Sequence, residues 1–261
     1  MASFSLSEAT LNALLAQWLW PLLRVAGFVM AAPVIGTRAL PMRLRVILVL
    51  ALTSVIAPNL AAPAGLEPLS GPGLLAVCQQ VLVGATIGLV LRMVFMAFEF
   101  AGQFIAQQAG LGFAAMVDPA SGSQVPVLAH LYTILASMIF FAADAHLVLI
   151  KLLGDSFTLV PVGPQGLTAE GAGVVVEWAG TLFAAALVMS LPVIIALLTI
   201  NLAFGVMTRA APQLNIISIG FPILILAAMM VALLTLDDVR TTGLQLFDAA
   251  FLTLRQVLEA R

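Results

Sequence analysis

Charge-free apolar runs dominate this chain. Trp178 to Thr208 and Ala210 to Leu236 span 31 and 27 residues, with Arg209 alone between them. Each exceeds the roughly 20 apolar residues needed to cross a bilayer. Val46 to Leu66, Pro68 to Leu91 and Pro119 to Ala143 are further runs of this kind. Proline and glycine cluster at 32–41, 57–73 and 159–173, where the apolar pattern is interrupted. The pattern predicts helices over 9–31, 42–60, 73–108, 124–153, 171–207 and 213–236. An amphipathic helix follows over 243–259, with Leu244, Phe247, Phe251, Leu254 and Leu258 on one face and Asp248, Arg255 and Glu259 largely elsewhere. No linker divides the chain, so residues 1–261 are expected to form one all-α, membrane-embedded domain.

Length argues against a simple six-span bundle. A helix over 73–108 measures about 54 Å at about 1.5 Å per residue, while a bilayer's hydrocarbon core is about 30 Å thick. The 171–207 segment is as long, with Pro192 as an expected kink. Part of the apolar surface is therefore expected to face protein subunits, the rest membrane lipid.

Composition sharpens this picture. The chain is 62% hydrophobic and 8% charged, with a mean hydropathy of +1.17, and a soluble domain carries about a quarter charged residues. A net charge of −2 offers no basic surface for nucleic acid. Cys78 is the only cysteine, so no intrachain disulfide can form. No Lys or Arg precedes Arg24, Glu8 is acidic, and the first apolar run leads into Trp18, Trp20 and Pro21. The first helix is expected to stay rather than be cleaved as a signal. Arg38, Arg43 and Arg45 sit in the first connection, Arg92 after the apolar part of the third segment and Arg209 between the last two long helices. If those ends are cytoplasmic, both termini are expected outside, with Lys151, Arg240, Arg255 and Arg261 opposing.

Four features could carry function. Arg92, Glu99, Gln103 and Gln107 follow spacings of 7, 4 and 4 and share one arc of a helix. They either border a water path or represent an internal Arg–Glu pairing with ordinary interhelical amides. Gly84, Gly88 and Gly102 are sites where another helix can approach closely. The segment Gly110, Leu111, Gly112, Phe113, Ala114, Ala115, Met116 and Val117, followed by the Asp118-Pro119 turn, is a run of small residues where a membrane chain should be helical. Irregular backbone at membrane depth is tolerated only inside protein or against a water-filled cavity. The segment is either a pore plug with an apolar seal or a plain turn. Pro212, Asn215, Gly220 and Pro222 interrupt what should be a smooth span, either as a substrate site in a broken helix or as a bent hairpin docking on a neighbour. His130, Asp144 and His146 have no metal-ligand spacing, and the Asp144–His146 pair reads as a helix end. No catalytic set, phosphate loop, metal site or cofactor motif is present, so the chain is expected not to be an enzyme.

The blocks RVAGFVMAAPVIGTRALPMRLR at 24–45, GATIGLVLRMVFMAFEFAGQFIAQQAGLGFAAMVDP at 84–119, PVLAHLYTILASMIFFAADAHLVLIKLLGDSF at 126–157 and APQLNIISIGFP at 211–222 resemble, in this order, the FliR family of flagellar biosynthetic proteins, homologues of the SctT export-apparatus subunits of injectisomes. The resemblance implies one copy in an assembly with several FliP-type and FliQ-type subunits, together with an FlhB-type switch protein, at the flagellar basal body in the bacterial inner membrane. It implies a FliP-like part over about 1–165 and a FliQ-like hairpin over 171–236. It makes Gly110–Val117 the resting plug of a pore for unfolded secreted proteins, with Phe113 and Met116 as sealing side chains. Energy would then come from other components. A secondary transporter with its site at 212–222, and an assembly factor without a pore, are the rival readings.

Overall fold

The fold was analysed in a computed structural model, which describes residues 8–33, 41–60, 66, 68, 70–110, 127–210 and 216–260. The described elements are α1 (Glu8–Ala31), α2 (Met42–Ile56) with a 3-10 turn at Ala57–Asn59, α3 (Gly71–Gln108), α4 (Val127–Ala142), α5 (Ala145–Leu159), α6 (Ala169–Ala210), α7 (Ile216–Leu234) and α8 (Leu236–Glu259). No strand occurs among the described residues. Among the described residues three helices, Met42–Asn59, α3 and α6, are each long and apolar enough to cross a membrane. Counting each bent pair, α4 with α5 and α7 with α8, as one span raises the number to five.

Local chemistry explains where these helices differ from expectation. α3 begins two residues early because Gly73 N–H donates to Ser70 Oγ at 3.1 Å, which caps the helix, and Pro72 fits the first turn, where its missing N–H costs nothing. α6 likewise starts at Ala169, with Gly171 N–H donating to Thr168 Oγ1 at 3.1 Å. Where one helix was expected over 124–153, the chain makes two. Asp144 adopts a left-handed conformation, φ 52°, which Asp tolerates better than most residues, and α5 starts anew after it. α8 begins at Leu236 rather than 243, its first turn carrying Asp237 and Asp238 where the helix dipole favours negative charge. α6 is continuous through Pro192. At 42 residues it is about 63 Å long, twice the hydrocarbon thickness.

The chain groups into two compact units. The first comprises 1–92, 144–178 and 249–261, the second 93–143 and 179–248. α3, α6 and α8 each contribute residues to both.

In the first unit α1 and α3 lie side by side with almost no space between their backbones. A Cβ at Gly84 would overlap the Arg24 carbonyl, and one at Gly27 the Val81 carbonyl. One at Gly88 would lie 2.7 Å from both Phe28 O and Ala32 N. Contacts advance together along both helices, so the two run parallel. Lipid supplies no hydrophobic drive between helices, so van der Waals packing across small residues holds such a contact. The expected approach sites at Gly84 and Gly88 are thus occupied by α1. α2 packs on α1 as well.

In the second unit the contact is aromatic. Phe95 of α3, Phe140 of α4 and Phe247 of α8 meet with ring centroids 5.4 to 5.8 Å apart, within the range of favourable ring pairs. Gly243 makes room for them, since a Cβ there would meet Phe98 at 2.6 Å and Ile139 at 3.3 Å. Phe100 stacks on Phe183 of α6 at 5.4 Å.

Gly84→Ala should lower the stability of the detergent-solubilised protein by about 1–3 kcal/mol, the cost of overpacking. Gly154→Ala, which meets nothing within 4 Å, should leave it unchanged or raise it by about 0.5–1 kcal/mol through helix propensity. Thermal unfolding midpoints of the two variants check the contrast.

Candidate functional site

The predicted plug segment is described at one residue. Gly110 ends α3 in the left-handed region, φ 82°. Leu111 to Val117, and the Asp118-Pro119 turn after them, lie outside the described residues. The structure does describe the end of α3 before the segment and the helix that resumes after it at Val127. A Cβ at Gly110 would meet the Phe221 ring of α7 at 3.3 Å. Beyond the segment the chain re-enters α4, whose first turn packs on α3, for a Cβ at Gly102 would lie 2.6 Å from Leu128 O. The third expected approach site is therefore filled too. Ala109, Leu128 and Ala129 are buried.

The expected hairpin break is divided by the structure. Pro212 and Asn215 lie outside the described residues. Gly220 and Pro222 lie inside α7, which is helical through both from Ile216, so no interruption exists at those two positions. Gly220 is buried and Pro222 exposed. The fold joins two features that sequence treats separately, because Phe221, between Gly220 and Pro222, is the residue against Gly110.

The polar face is only partly coupled. Gln103 Nε2 donates to Glu99 Oε1 at 3.2 Å, both half-buried. Arg92 and Gln107 are exposed. Arg92 makes no ion pair with Glu99 among the described residues, as expected for groups seven residues and about 10 Å apart along a helix. Asp144 stands exposed at the α4–α5 break and His130 is exposed on α4. Among the described residues no group of three or more His, Cys, Asp or Glu could hold a metal ion.

Sequence reasoning missed a second polar centre, built on Arg24 in the first unit. Arg24 is 0% exposed, as are Gln80 and Ser156. Its Nε donates to Gln80 Oε1 at 2.8 Å. Nη1 donates to Ser156 O at 2.7 Å and Ser156 Oγ at 3.1 Å, and Nη2 donates to Val160 O at 2.7 Å. The guanidinium carbon lies 4.0 Å from the centre of the Phe157 ring, a cation–π distance. Among the described residues no carboxylate takes part. The charge is met by carbonyls of the last turn and cap of α5, at the negative end of the helix dipole; Ser156 O accepts from the Val160 N–H at 2.9 Å as well as from Arg24. The Gln80 amide N–H groups and the Trp20 indole N–H are buried without an acceptor among the described residues. One signal could have exposed this centre: Arg24 is the only charge between Glu8 and Arg38, and an isolated intramembrane charge has a partner or a purpose.

A set of overlong apolar helices, joined by close small-residue contacts and tied by buried polar groups, defines an all-α, multi-pass membrane protein. Residues 15–250 match the family described as "Bacterial export proteins, family 1". Among curated relatives, the flagellar biosynthetic protein FliR of Pectobacterium carotovorum is 36% identical over 93% of this chain and 92% of its own. FliR of Escherichia coli is 39% identical over 84% and 87%, and FliR of Bacillus subtilis 26% over 90% and 92%. The chain belongs to the FliR family of bacterial export proteins and is a multi-pass protein of the bacterial inner membrane.

Arg24→Met should cost about 3 kcal/mol, because it strands the buried acceptors that the guanidinium satisfies. Arg24→Lys should recover part of this, since a single ammonium cannot reach α3 and α5 with the same fork. Ser156→Ala should cost about 1 kcal/mol, the backbone carbonyl remaining as acceptor. Unfolding midpoints in detergent give the order; equal values for Arg24→Met and wild type would reject it.

Proposed function

We propose that this chain is a subunit of the flagellar protein export gate, in which the segment Gly110–Val117 closes the pore at rest. The observation that carries the reading is how the helices before and after the segment are held. Gly110 sits against Phe221, and α4 presses its first turn onto Gly102. FliR relatives, by name components of flagellar biosynthesis, support the setting. The gate is passive: an apolar seal with Phe113 and Met116 excludes ions, and a secreted unfolded chain pushes it aside. Such seals block conduction by dewetting. The role is structural and conducting rather than enzymatic.

The remaining walls of the pore come from other subunits, of FliP and FliQ type, with an FlhB-type switch protein nearby. Their support is the amount of apolar surface this chain leaves uncovered. In the most apolar stretch of α6, 28% of residues are buried within the chain, against 56% in α3. Phe183, Leu187, Leu191, Ile195, Leu198 and Leu202 are all exposed on it. The likeness of 1–165 to FliP and of 171–236 to FliQ belongs to the same reading.

Deleting Gly110–Val117 should make cells leak ions while the complex still assembles and co-purifies. Phe221→Ala, which removes the ring against Gly110, should give a smaller leak in the same direction. Membrane conductance in the two variants is the measurement, and unchanged conductance in the deletion would reject the plug. A lone, monodisperse chain that binds a small solute would reject the gate itself.

A further inference from the structure

The second unit contains a groove of about 450 Å³ between α4 and α8 that neither the plug nor the polar face uses. Leu135, Ile139 and Ala142 line it from α4, and Val239, Arg240 and Leu244 from α8. Its size falls within the range of small-molecule sites, about 300–1,000 Å³. Arg240 is the one charged side chain among its lining residues. Arg240 is exposed and forms no ion pair among the described residues. Asp237, one turn earlier, and Asp238, on the far side of the helix, do not line the groove.

Position matters as much as lining. The charge-free run that begins at Ala210 ends at Leu236. There α7 gives way to α8 through a bend of 59°, and α8 is amphipathic. At 19 residues α7 is about 28 Å long, close to the roughly 30 Å of the hydrocarbon core, so its end falls near the level of the lipid headgroups. Arg240 lies one turn past that bend, just beyond the charge-free run, with an apolar trough beside it. Basic pockets between membrane helices recognise anionic headgroups in this way.

We infer that the α4–α8 groove binds an anionic phospholipid, one acyl chain lying in the trough and the phosphate on Arg240. The site requires both parts: the trough takes the tail of any phospholipid, and the cation selects the anionic one. It is independent of the plug.

The test uses the full chain purified in mild detergent with whatever subunits accompany it, stripped of lipid. Dioleoyl phosphatidylglycerol or dioleoyl phosphatidylcholine is then added in mixed micelles, and bound lipid is counted by native mass spectrometry. Wild type should retain phosphatidylglycerol in preference to phosphatidylcholine. Arg240→Gln should weaken phosphatidylglycerol binding about fivefold, the worth of one interfacial cation, and leave phosphatidylcholine unchanged. Arg240→Lys should keep the preference, and Ala142→Trp, which fills the trough, should abolish retention of both lipids. If Ala142→Trp does not fold, the Arg240→Gln and Arg240→Lys pair decides alone. Equal binding of the two lipids by wild type and Arg240→Gln would overturn the proposal. So would cross-linking of a cysteine at Met138, on the groove wall, to another subunit in the intact complex, because a protein would then occupy the trough.

Discussion

A buried guanidinium without a carboxylate is the constraint on which the first unit depends. Removing a charge from water is tolerable only when dipoles or opposite charge replace the lost hydration. Here the carbonyls of the last turn of α5 do so, together with the Gln80 amide on α3 and the Phe157 ring. Arg24 therefore cannot be satisfied unless α1, α3 and α5 stand together. One side chain makes three separate helices interdependent, and it fixes their rotation as well as their proximity, since the fork accepts few geometries.

Glycine makes that arrangement reachable. The carbonyl of Arg24 itself occupies the space a Cβ at Gly84 would need, so the backbone contact and the polar tie reinforce each other at the same residue. In the second unit the same device serves a different end. Gly102 admits the first turn of α4 and Gly243 admits the Phe98 and Ile139 side chains, so that aromatic rings from α3, α4 and α8 can meet. Gly110 and the first turn of α4 inherit their placement from these contacts.

Much was legible in the residues alone. Charge-free runs gave away the helices and the membrane, because no other structure satisfies its backbone in lipid. The small residues at 84, 88 and 102 announced close helix approach, and α1 and α4 fill those sites. The four sequence blocks carried the family, which residues 15–250 confirm. Boundaries were less legible. Thr168 and Ser70 are ordinary polar residues until a neighbouring N–H turns to them, and Asp144 breaks a helix that its apolar flanks would have continued. The coupling of Gly110 with Phe221 was illegible too, since 111 residues separate them and neither carries a periodic signal.

Sequence by itself determined the class of this protein: its helices, its solvent and its family, all of which rest on local hydropathy and residue order. Only the tertiary structure decided which polar groups matter and to whom they belong. Arg24 reads along the chain as one more basic residue, and the polar stripe of α3 reads as the obvious centre. The fold reverses that ranking, leaving Arg92 exposed and burying Arg24 completely. The reason is physical: the cost of a charge depends on the dipoles around it, and those come from helix ends brought together across more than 130 residues of chain.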